Sequence, residues 1–197
     1  MTLTKKQAGS GPPKTSEDFD SAYRLPLTPW GDFRIPGEIV ALVSGEAPRR
    51  VLELGCGLGR FSRYVARQGI ITTGIDFSPV AIAKARTNAA RDRHRPEFIV
   101  GDVTQLDDVH GPFDASFDVG CFHCLDSAGH RRYASEVLRL LAPGGTHLIW
   151  ALDDSPGGPR LTPSAIEEVF TPGFQLRRAL QSRRRMGRSH WYWLQTH

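Results

Sequence analysis

Residues 51–62 read VLELGCGLGRFS, and this stretch decides the architecture of the chain. An apolar run, broken only by Glu53, gives way to glycines at alternate positions, Gly55, Gly57 and Gly59. A short apolar run between turn residues is typical of a buried strand. Glycine permits a tight turn and lets a ligand come close to the backbone. The stretch therefore predicts a strand, a tight loop and a following helix, with a ligand beside the loop.

Strands and helices alternate through the rest of the chain. Ser78-Pro79 begins one helix, and either Asp126 or Ser127 caps another. Counting VLEL, strands are predicted for seven segments, of which the others are IITTGID, EFIV, ASFDVGC, THLIWAL, FQLRR and SHWYWLQ. This alternation predicts an α/β fold, with a doubly wound, mostly parallel sheet of seven strands. The link before the last strand is too short for a parallel crossover, so that strand should run antiparallel.

Bulk composition is that of an ordinary globular domain. The chain has 197 residues, of which 40% are hydrophobic and 23% charged. It has no apolar run near the ~18 residues that a membrane span needs, and its first residues lack the apolar core of a secretory signal. Cys56, Cys121 and Cys124 fit no disulfide framework, which agrees with a reducing compartment. We therefore expect a cytoplasmic protein with no membrane partner.

Positive charge is concentrated near the carboxyl terminus. The stretch from Arg177 to Arg188 holds six arginines and no acid, and removing these charges from the net +4 leaves −2. A nucleic-acid-binding domain usually carries a broad basic face. We therefore predict a solvated turn here, with a clamp for an anionic acceptor or partner as the alternative.

The glycine spacing bears on the kind of ligand. A dinucleotide fingerprint requires a third glycine where this chain has Arg60, which disfavours an NAD-dependent oxidoreductase. Asp76 ends the second predicted strand, 21 residues after Gly55, where an acid can accept both hydroxyls of a ribose. The sequence therefore predicts a cofactor of the adenosine type.

Five motifs carry a resemblance to a known family. In this order and spacing, VLELGCGLGRF, GIDFS, VGDV, FDVGCFH and LLAPGG resemble the motifs of class I methyltransferases that use S-adenosylmethionine. The resemblance covers about residues 50–152 and implies a Rossmann-like fold. It also implies that the backbone of Gly55, Cys56 and Gly57 follows the methionine part of the cofactor. Glu53 would hold the loop near the cofactor's ammonium group, and Asp76 would accept the ribose hydroxyls.

The remaining cofactor contacts implied by the resemblance follow the later strands. Phe77 would lie against the adenine. Asp102 would accept a hydrogen bond from the adenine amino group, with the Val103 amide beside it. The backbone of Gly120 and Cys121 would face the methionine ammonium group.

A second, shorter resemblance lies at the two ends of the chain. LTPWGDFRIP and GGPRLTPSAIEEVFTPGFQL are similar to segments of the small thiol, thiopurine and halide methyltransferases, although Gly31 stands where that group usually has an acid. The first segment implies a lid in which Trp30 contacts cofactor and acceptor and Phe33 contacts the acceptor. The acceptor would then be a small molecule, such as a thiol or another soft nucleophile.

These observations predict a single methyltransferase domain in residues 21–197, after a disordered tail in residues 1–20. Within it we expect a lid and first helix, a cofactor-binding core, and a carboxyl-terminal helix with two strands, in residues 21–46, 47–152 and 153–197. The oligomeric state is left open. The alternative function is a nucleic-acid-associated methyltransferase or binding protein that uses the arginine run.

Candidate proton-transfer groups follow the fourth predicted strand. His123 could act as a base or contact the acceptor, and Tyr133 is the second candidate. Each has a structural alternative, because His123 could bond to backbone and Tyr133 lies on the apolar stripe of its helix. The segment CFHC offers too few ligands for a zinc site, so no metal is predicted.

Overall fold

A computed structural model describes residues 15–25, 28, 34–45, 47–155, 158–182 and 187–197. The helices are α1 (Ser16–Arg24), α2 (Gly37–Gly45), α3 (Arg60–Arg67), α4 (Pro79–Ala89), α5 (Ser127–Leu140) and α6 (Pro163–Phe170). The strands are β1 (Arg50–Leu54), β2 (Ile71–Asp76), β3 (Glu97–Val100), β4 (Phe113–Val119), β5 (Leu141–Leu152), β6 (Phe174–Gln181) and β7 (Ser189–Thr196).

The described strands form one seven-stranded sheet in the order β3-β2-β1-β4-β5-β7-β6. Neighbours from β3 to β5 pair in parallel, whereas β7 runs antiparallel to both β5 and β6. The predicted doubly wound sheet with an antiparallel last strand is therefore confirmed. Strand order reverses at β1 and β4, and the carboxyl ends there are where such sheets bind ligands.

Two apolar layers cover the sheet. One face packs against α5 and α6 through a cluster that includes Tyr133, Phe170 and Tyr192. The other packs against α2 and α3 through a cluster that includes Trp150 and Trp191. The inner strands β1, β2, β4 and β5 bury side chains on both faces, as expected of a sheet covered by helices.

Side-chain caps begin the helices where the sequence indicates. The hydroxyl of Ser78 accepts a hydrogen bond from the Ala81 amide at 3.0 Å, with Pro79 in the first turn of α4. The carboxylate of Asp126 accepts from the Gly129 amide at 2.7 Å and caps α5. Of the two candidate caps for this helix, Asp126 is thus the one used.

The predicted disordered tail was wrong at its carboxyl end, because residues 16–20 belong to α1. Thr15 and Asp18 form a capping box in which each side chain accepts from the other's amide. This arrangement satisfies two amides that a helix start otherwise leaves unpaired. The ring of Phe19 meets Phe77 edge-on at 5.2 Å, so the helix is also fixed by tertiary packing.

The fourth strand ends earlier than predicted. β4 stops at Val119, and the expected extension through Cys121 was wrong. Gly120 has a φ of +100°, and Phe122–Cys124 form a single 3₁₀ turn. Cys121 and His123 therefore lie on a turn at the carboxyl edge of the sheet and not on one face of a strand.

Candidate active site

The glycine loop joins β1 to α3 at the carboxyl edge of the sheet. Gly55, Gly57 and Gly59 have φ angles of +70°, +51° and +73°, a region that residues with side chains rarely adopt. A Cβ at Gly55 would collide with the side chain of Cys121, and one at Gly59 would collide with the ring of Phe98. Backbone conformation and close packing both require glycine here.

Cys56 turns its side chain away from this edge and into the core. It packs with Ile82, Ala85 and Phe98, and burial raises the pKa of its thiol well above the usual value. Its amide donates to the carbonyl of Ile75 at 2.8 Å. At Gly55, Cys56 and Gly57, only backbone atoms can thus face a ligand, which is the arrangement the resemblance implies.

The carboxylate of Asp76 joins the glycine loop to the start of α4. Its two oxygens accept hydrogen bonds from the Gly57 amide at 2.8 Å and the Ser78 amide at 2.9 Å. Tyr23 of α1 also donates its hydroxyl to this carboxylate, and that hydroxyl lies against Gly57. Although burial raises the pKa of Asp76, these hydrogen bonds favour its charged form.

Helix α1 covers the region where the adenosine would lie. The hydroxyl of Ser16 donates to the carbonyl of Phe77 at 3.4 Å, and Asp20 accepts from the hydroxyl of Ser78. The Lys84 ammonium donates to the carbonyl of Tyr23 at 2.5 Å. Nothing in the sequence motifs pointed to Tyr23. Its spacing four residues after Phe19 was the available signal for a helix face.

Glu53 links the end of β1 to the start of α3. Its carboxylate accepts from the amide of Ser62 at 2.7 Å and also from the Ser62 hydroxyl. Burial raises the pKa of Glu53 from 4.5 to about 8, because the charged form loses its hydration. The nearby carboxylates of Asp76 and Asp118 raise it further. These effects favour the protonated form of Glu53 at pH 7.

This shift in Glu53 predicts a pH-dependent stability. Because its pKa is higher in the folded state, its contribution to stability is complete below about pH 4.5 and is lost as pH rises through about 8. Gln cannot ionise and keeps an acceptor for Ser62. Between pH 5 and pH 8, wild type should therefore lose about 2–4 kcal/mol more stability than Glu53→Gln. Urea unfolding at both pH values measures this difference, and parallel losses in the two proteins would contradict it.

The carboxylate of Asp118 holds the turn that follows β4. It accepts from the amides of Cys121 at 2.7 Å and Phe122 at 2.8 Å. It also accepts from the Tyr133 hydroxyl at 2.9 Å. The same hydroxyl lies 3.1 Å from Nε2 of His147. Burial raises the pKa of Asp118 from 3.8 to about 6. No role was predicted for Asp118, although it lies within the quoted motif FDVGCFH.

The predicted adenine contacts lie after β2 and β3. Phe77 is 37% exposed at the edge of the sheet. One carboxylate oxygen of Asp102 accepts from both the amide and the hydroxyl of Thr104, at 2.8 and 2.9 Å. Its other oxygen has no hydrogen-bond partner within the described part of the chain. Val103 is buried beside it. These positions are compatible with an adenine site, and the individual contacts stay predictions.

The two candidate proton-transfer residues have other partners. Nδ1 of His123 accepts from the amide of Leu152 at 3.4 Å, and the ring meets Trp150 edge-on. Burial lowers the pKa of His123 to about 4. Tyr133 is fully buried, and burial raises its pKa well above 10. The structural alternatives for both residues thus agree with the structure, and their part in proton transfer stays a prediction.

Several predicted features lie outside the described residues. Trp30 and Phe33 are among them, so the lid remains a prediction. Arg183–Arg185 of the arginine run also lie outside the described residues. Of that run, Arg178 lies over the ring of Trp193 on β7, 5.2 Å from its centroid.

Within the described ranges, no three His, Cys, Asp or Glu residues are grouped so as to hold a metal ion. No described helix has the length and apolar character to cross a bilayer.

Comparison with known families identifies the core of the chain. Residues 51–145 match the family model described as a methyltransferase domain. These residues form a class I methyltransferase domain. An uncharacterized methyltransferase of Schizosaccharomyces pombe is 33% identical over 93 residues. That match spans 47% of this chain and 64% of the relative, so the chain covers under two thirds of the relative's length.

Other relatives of this methyltransferase domain carry more specific names. The 2-heptyl-1-hydroxyquinolin-4(1H)-one methyltransferase of Mycobacteroides abscessus is 28% identical over 68% of this chain and 63% of its own length. Among solved structures, N-methyltransferase NodS of Bradyrhizobium japonicum has a TM-score of 0.79 at 19% identity, over 93% of this chain and 99% of its own. A Burkholderia thailandensis 1,6-didemethyltoxoflavin-N1-methyltransferase has a TM-score of 0.76 at 24% identity, over 92% and 86%. At these identities the two structures support the fold alone.

Proposed function

We propose that the chain transfers a methyl group from S-adenosylmethionine to a small-molecule acceptor. The observation that carries this proposal is the Asp76 carboxylate, which lies against the glycine loop at the carboxyl end of β2. Its acceptor oxygens and the backbone of Gly55 and Gly57, which carries no side chains, suit the ribose and methionine parts of such a cofactor. A cytoplasmic location remains part of the same proposal.

The charges of this edge fit the cofactor. Four neighbouring strands each bring a carboxyl group to it, from Glu53, Asp76, Asp118 and, just after β3, Asp102, and a bound cation would favour the charged form of Glu53. When bound, S-adenosylmethionine supplies a methyl group on a positively charged sulfur, which is displaced directly by the acceptor. A negative environment favours this cation and its ammonium group. For both ribose hydroxyls to reach Asp76, the Tyr23 hydroxyl has to move away.

For the acceptor, we propose a thiol or another soft nucleophile of small size. In a direct displacement the protein has to hold the acceptor in line with the methyl group, which can contribute ~7–11 kcal/mol. The lowered pKa of His123 makes it a weak base, and a thiol with a pKa near ~8.5 is partly ionised without any base. The hydroxyquinolinone methyltransferase among the relatives supports a small acceptor without selecting the reacting atom of this chain's acceptor.

Calorimetry and a transfer assay test the proposal together. S-adenosylhomocysteine should bind with a micromolar dissociation constant, about −8 kcal/mol, and NAD should show no comparable binding. Labelled S-adenosylmethionine should then label one or more of a panel of thiols, thiopurines, halides, phenols and amines. Tighter binding of NAD would contradict the cofactor, and labelling of RNA alone would favour the nucleic-acid alternative.

A further inference from the structure

A histidine and a carboxylate form a close pair at the carboxyl end of β5. Nδ1 of His190 lies 2.6 Å from an oxygen of Asp153, and the two side chains are 19% and 7% exposed. They are 37 positions apart in the chain and meet because β7 runs antiparallel to β5, with Ala151 opposite His190. No sequence motif or relative assigns either residue a role.

Hydrogen bonds of both its amide and its carbonyl hold the backbone of Asp153 in place. Its amide donates to the carbonyl of Arg188 at 2.9 Å, and its carbonyl accepts from the amide of Leu161 at 2.8 Å. Its carboxylate therefore lies on backbone held by two segments of the chain. Tyr192 is a titratable neighbour, with its ring 5.8 Å from that of His190, and Asp154, the residue after Asp153, pairs with Arg160. Burial and Asp153 hold the pKa of Tyr192 high, so Tyr192 stays neutral.

This pairing determines which nitrogen of His190 can take a proton. A carboxylate can only accept at Nδ1, so the neutral ring carries its hydrogen there and keeps a lone pair on Nε2. Nε2 has no hydrogen-bond partner in the described ranges. His123 is the reverse case, because its Nδ1 accepts from the Leu152 amide and its hydrogen is therefore on Nε2. A base oriented by a carboxylate is the arrangement used in proton-transfer sites.

The register of the sheet places this pair near the proposed reaction. β4 pairs Val119 with Trp150, so Gly120 follows at the level of Ala151, and Ala151 in turn pairs with His190. Two strand spacings, about 10 Å, thus separate the backbone of Gly120 from that of His190. The resemblance places the methionine end of the cofactor beside Gly120. A small acceptor and an imidazole side chain can together span this distance.

We propose that His190, oriented by Asp153, is the general base that takes the proton from the methyl acceptor. The inference rests on the proposed methyl transfer. The acceptor atom forms a bond to the methyl carbon, the carbon–sulfur bond breaks with its electron pair going to sulfur, and the acceptor's proton passes to Nε2. Asp153 stabilises the resulting imidazolium, which then loses the proton to solvent. The acceptors served are those with an ionisable S–H, O–H or N–H, and those of high pKa depend most on the base.

Histidine nitrogen NMR tests the geometry without any acceptor. With S-adenosylhomocysteine present, we expect His190 to carry its hydrogen on Nδ1 and His123 to carry its hydrogen on Nε2. Asp153→Asn can donate to Nδ1 and should move the His190 hydrogen to Nε2. A hydrogen on Nε2 of His190 in the wild type would overturn the proposal.

Kinetics test the chemistry, with phenol and an alkanethiol as acceptor probes, because both are mostly protonated at pH 7. At pH 7, His190→Gln should lower kcat at least ~100-fold and leave S-adenosylhomocysteine affinity within twofold. The loss should shrink as pH rises above the acceptor's own pKa, because the acceptor then needs no base. The exposed His94 provides the control, and His94→Gln should leave kcat unchanged.

Two outcomes would overturn the assignment of His190. One is a loss in His190→Gln that is the same at every pH, which would indicate a structural role. The other is an unchanged kcat in that variant. A wild-type protein that fails to bind S-adenosylhomocysteine would instead contradict the proposed function itself, so the two failures are distinguishable.

Discussion

Asp76→Asn is expected to weaken the binding of S-adenosylhomocysteine at least 100-fold. Asp76 is 4% exposed and its carboxylate already lies against the glycine loop. Hydrogen bonds to a charged group contribute ~1.5–3 kcal/mol each, and the ribose has two hydroxyls to place there. Asn keeps a single acceptor oxygen and no charge. Isothermal titration calorimetry measures the change directly.

Tyr23→Phe is expected to act in the opposite direction. A carboxylate offers about four acceptor positions, and the amides of Gly57 and Ser78 use two of those on Asp76. The Tyr23 hydroxyl uses a third, which leaves too few for both ribose hydroxyls. Removing that hydroxyl should therefore strengthen binding several-fold.

Asp108→Asn is the matched control for Asp76→Asn, since Asp108 is an exposed acid on a turn after β3. It should bind as wild type does. Asp76 also holds two backbone amides, so thermal unfolding has to show that Asp76→Asn is folded at the temperature of titration. Wild-type affinity in a folded Asp76→Asn would remove the ribose role from Asp76. Weaker binding by Tyr23→Phe would mean that Tyr23 contacts the ligand and does not compete with it.

Local patterns were sufficient to predict the sheet. The apolar runs, the glycine loop and the caps at Ser78 and Asp126 depend on residues within a few positions of one another. Helix α1 was missed because its local signals, a capping box and the spacing of Phe19 and Tyr23, are weak and the contacts that stabilise it are long-range. It has nine mostly polar residues, and the contacts of Phe19 with Phe77 and of Asp20 with Ser78 cross about sixty positions of the chain. Isolated helices of this length are marginal in water.

In the candidate site too, contacts between residues close in the chain could be predicted and long-range contacts could not. Gly55, Gly57 and Asp76 could be predicted because a short loop and a strand end bring them together. The pair formed by His190 and Asp153 could not, because it depends on the register of β5 against β7. The end of β4 could not be predicted either. Gly120 is the one turn signal between Val119 and Cys121, and a single glycine was not enough to indicate that the strand ends there.

Asp118→Ala is expected to lower the free energy of unfolding by about 3 kcal/mol at pH 7. The substitution leaves the amides of Cys121 and Phe122 without their acceptor, and a buried amide without a partner costs ~1–3 kcal/mol. Relief of a buried charge offsets part of this loss, because the pKa of Asp118 is raised to about 6 by burial. Urea unfolding, followed by circular dichroism, measures the difference.

The same raised pKa fixes the sign of the pH dependence. The contribution of Asp118 is complete below about pH 3.8 and is lost as pH rises through about 6. The loss in Asp118→Ala should therefore be larger at pH 5 than at pH 8, by about 1 kcal/mol. Tyr133→Phe is the matched control, because it removes one hydroxyl from the same network and leaves both amide bonds of the turn in place. It should cost less than half as much. Equal losses in the two variants would mean that Tyr133 and His147 stabilise this region, and that the turn after β4 keeps its conformation without Asp118.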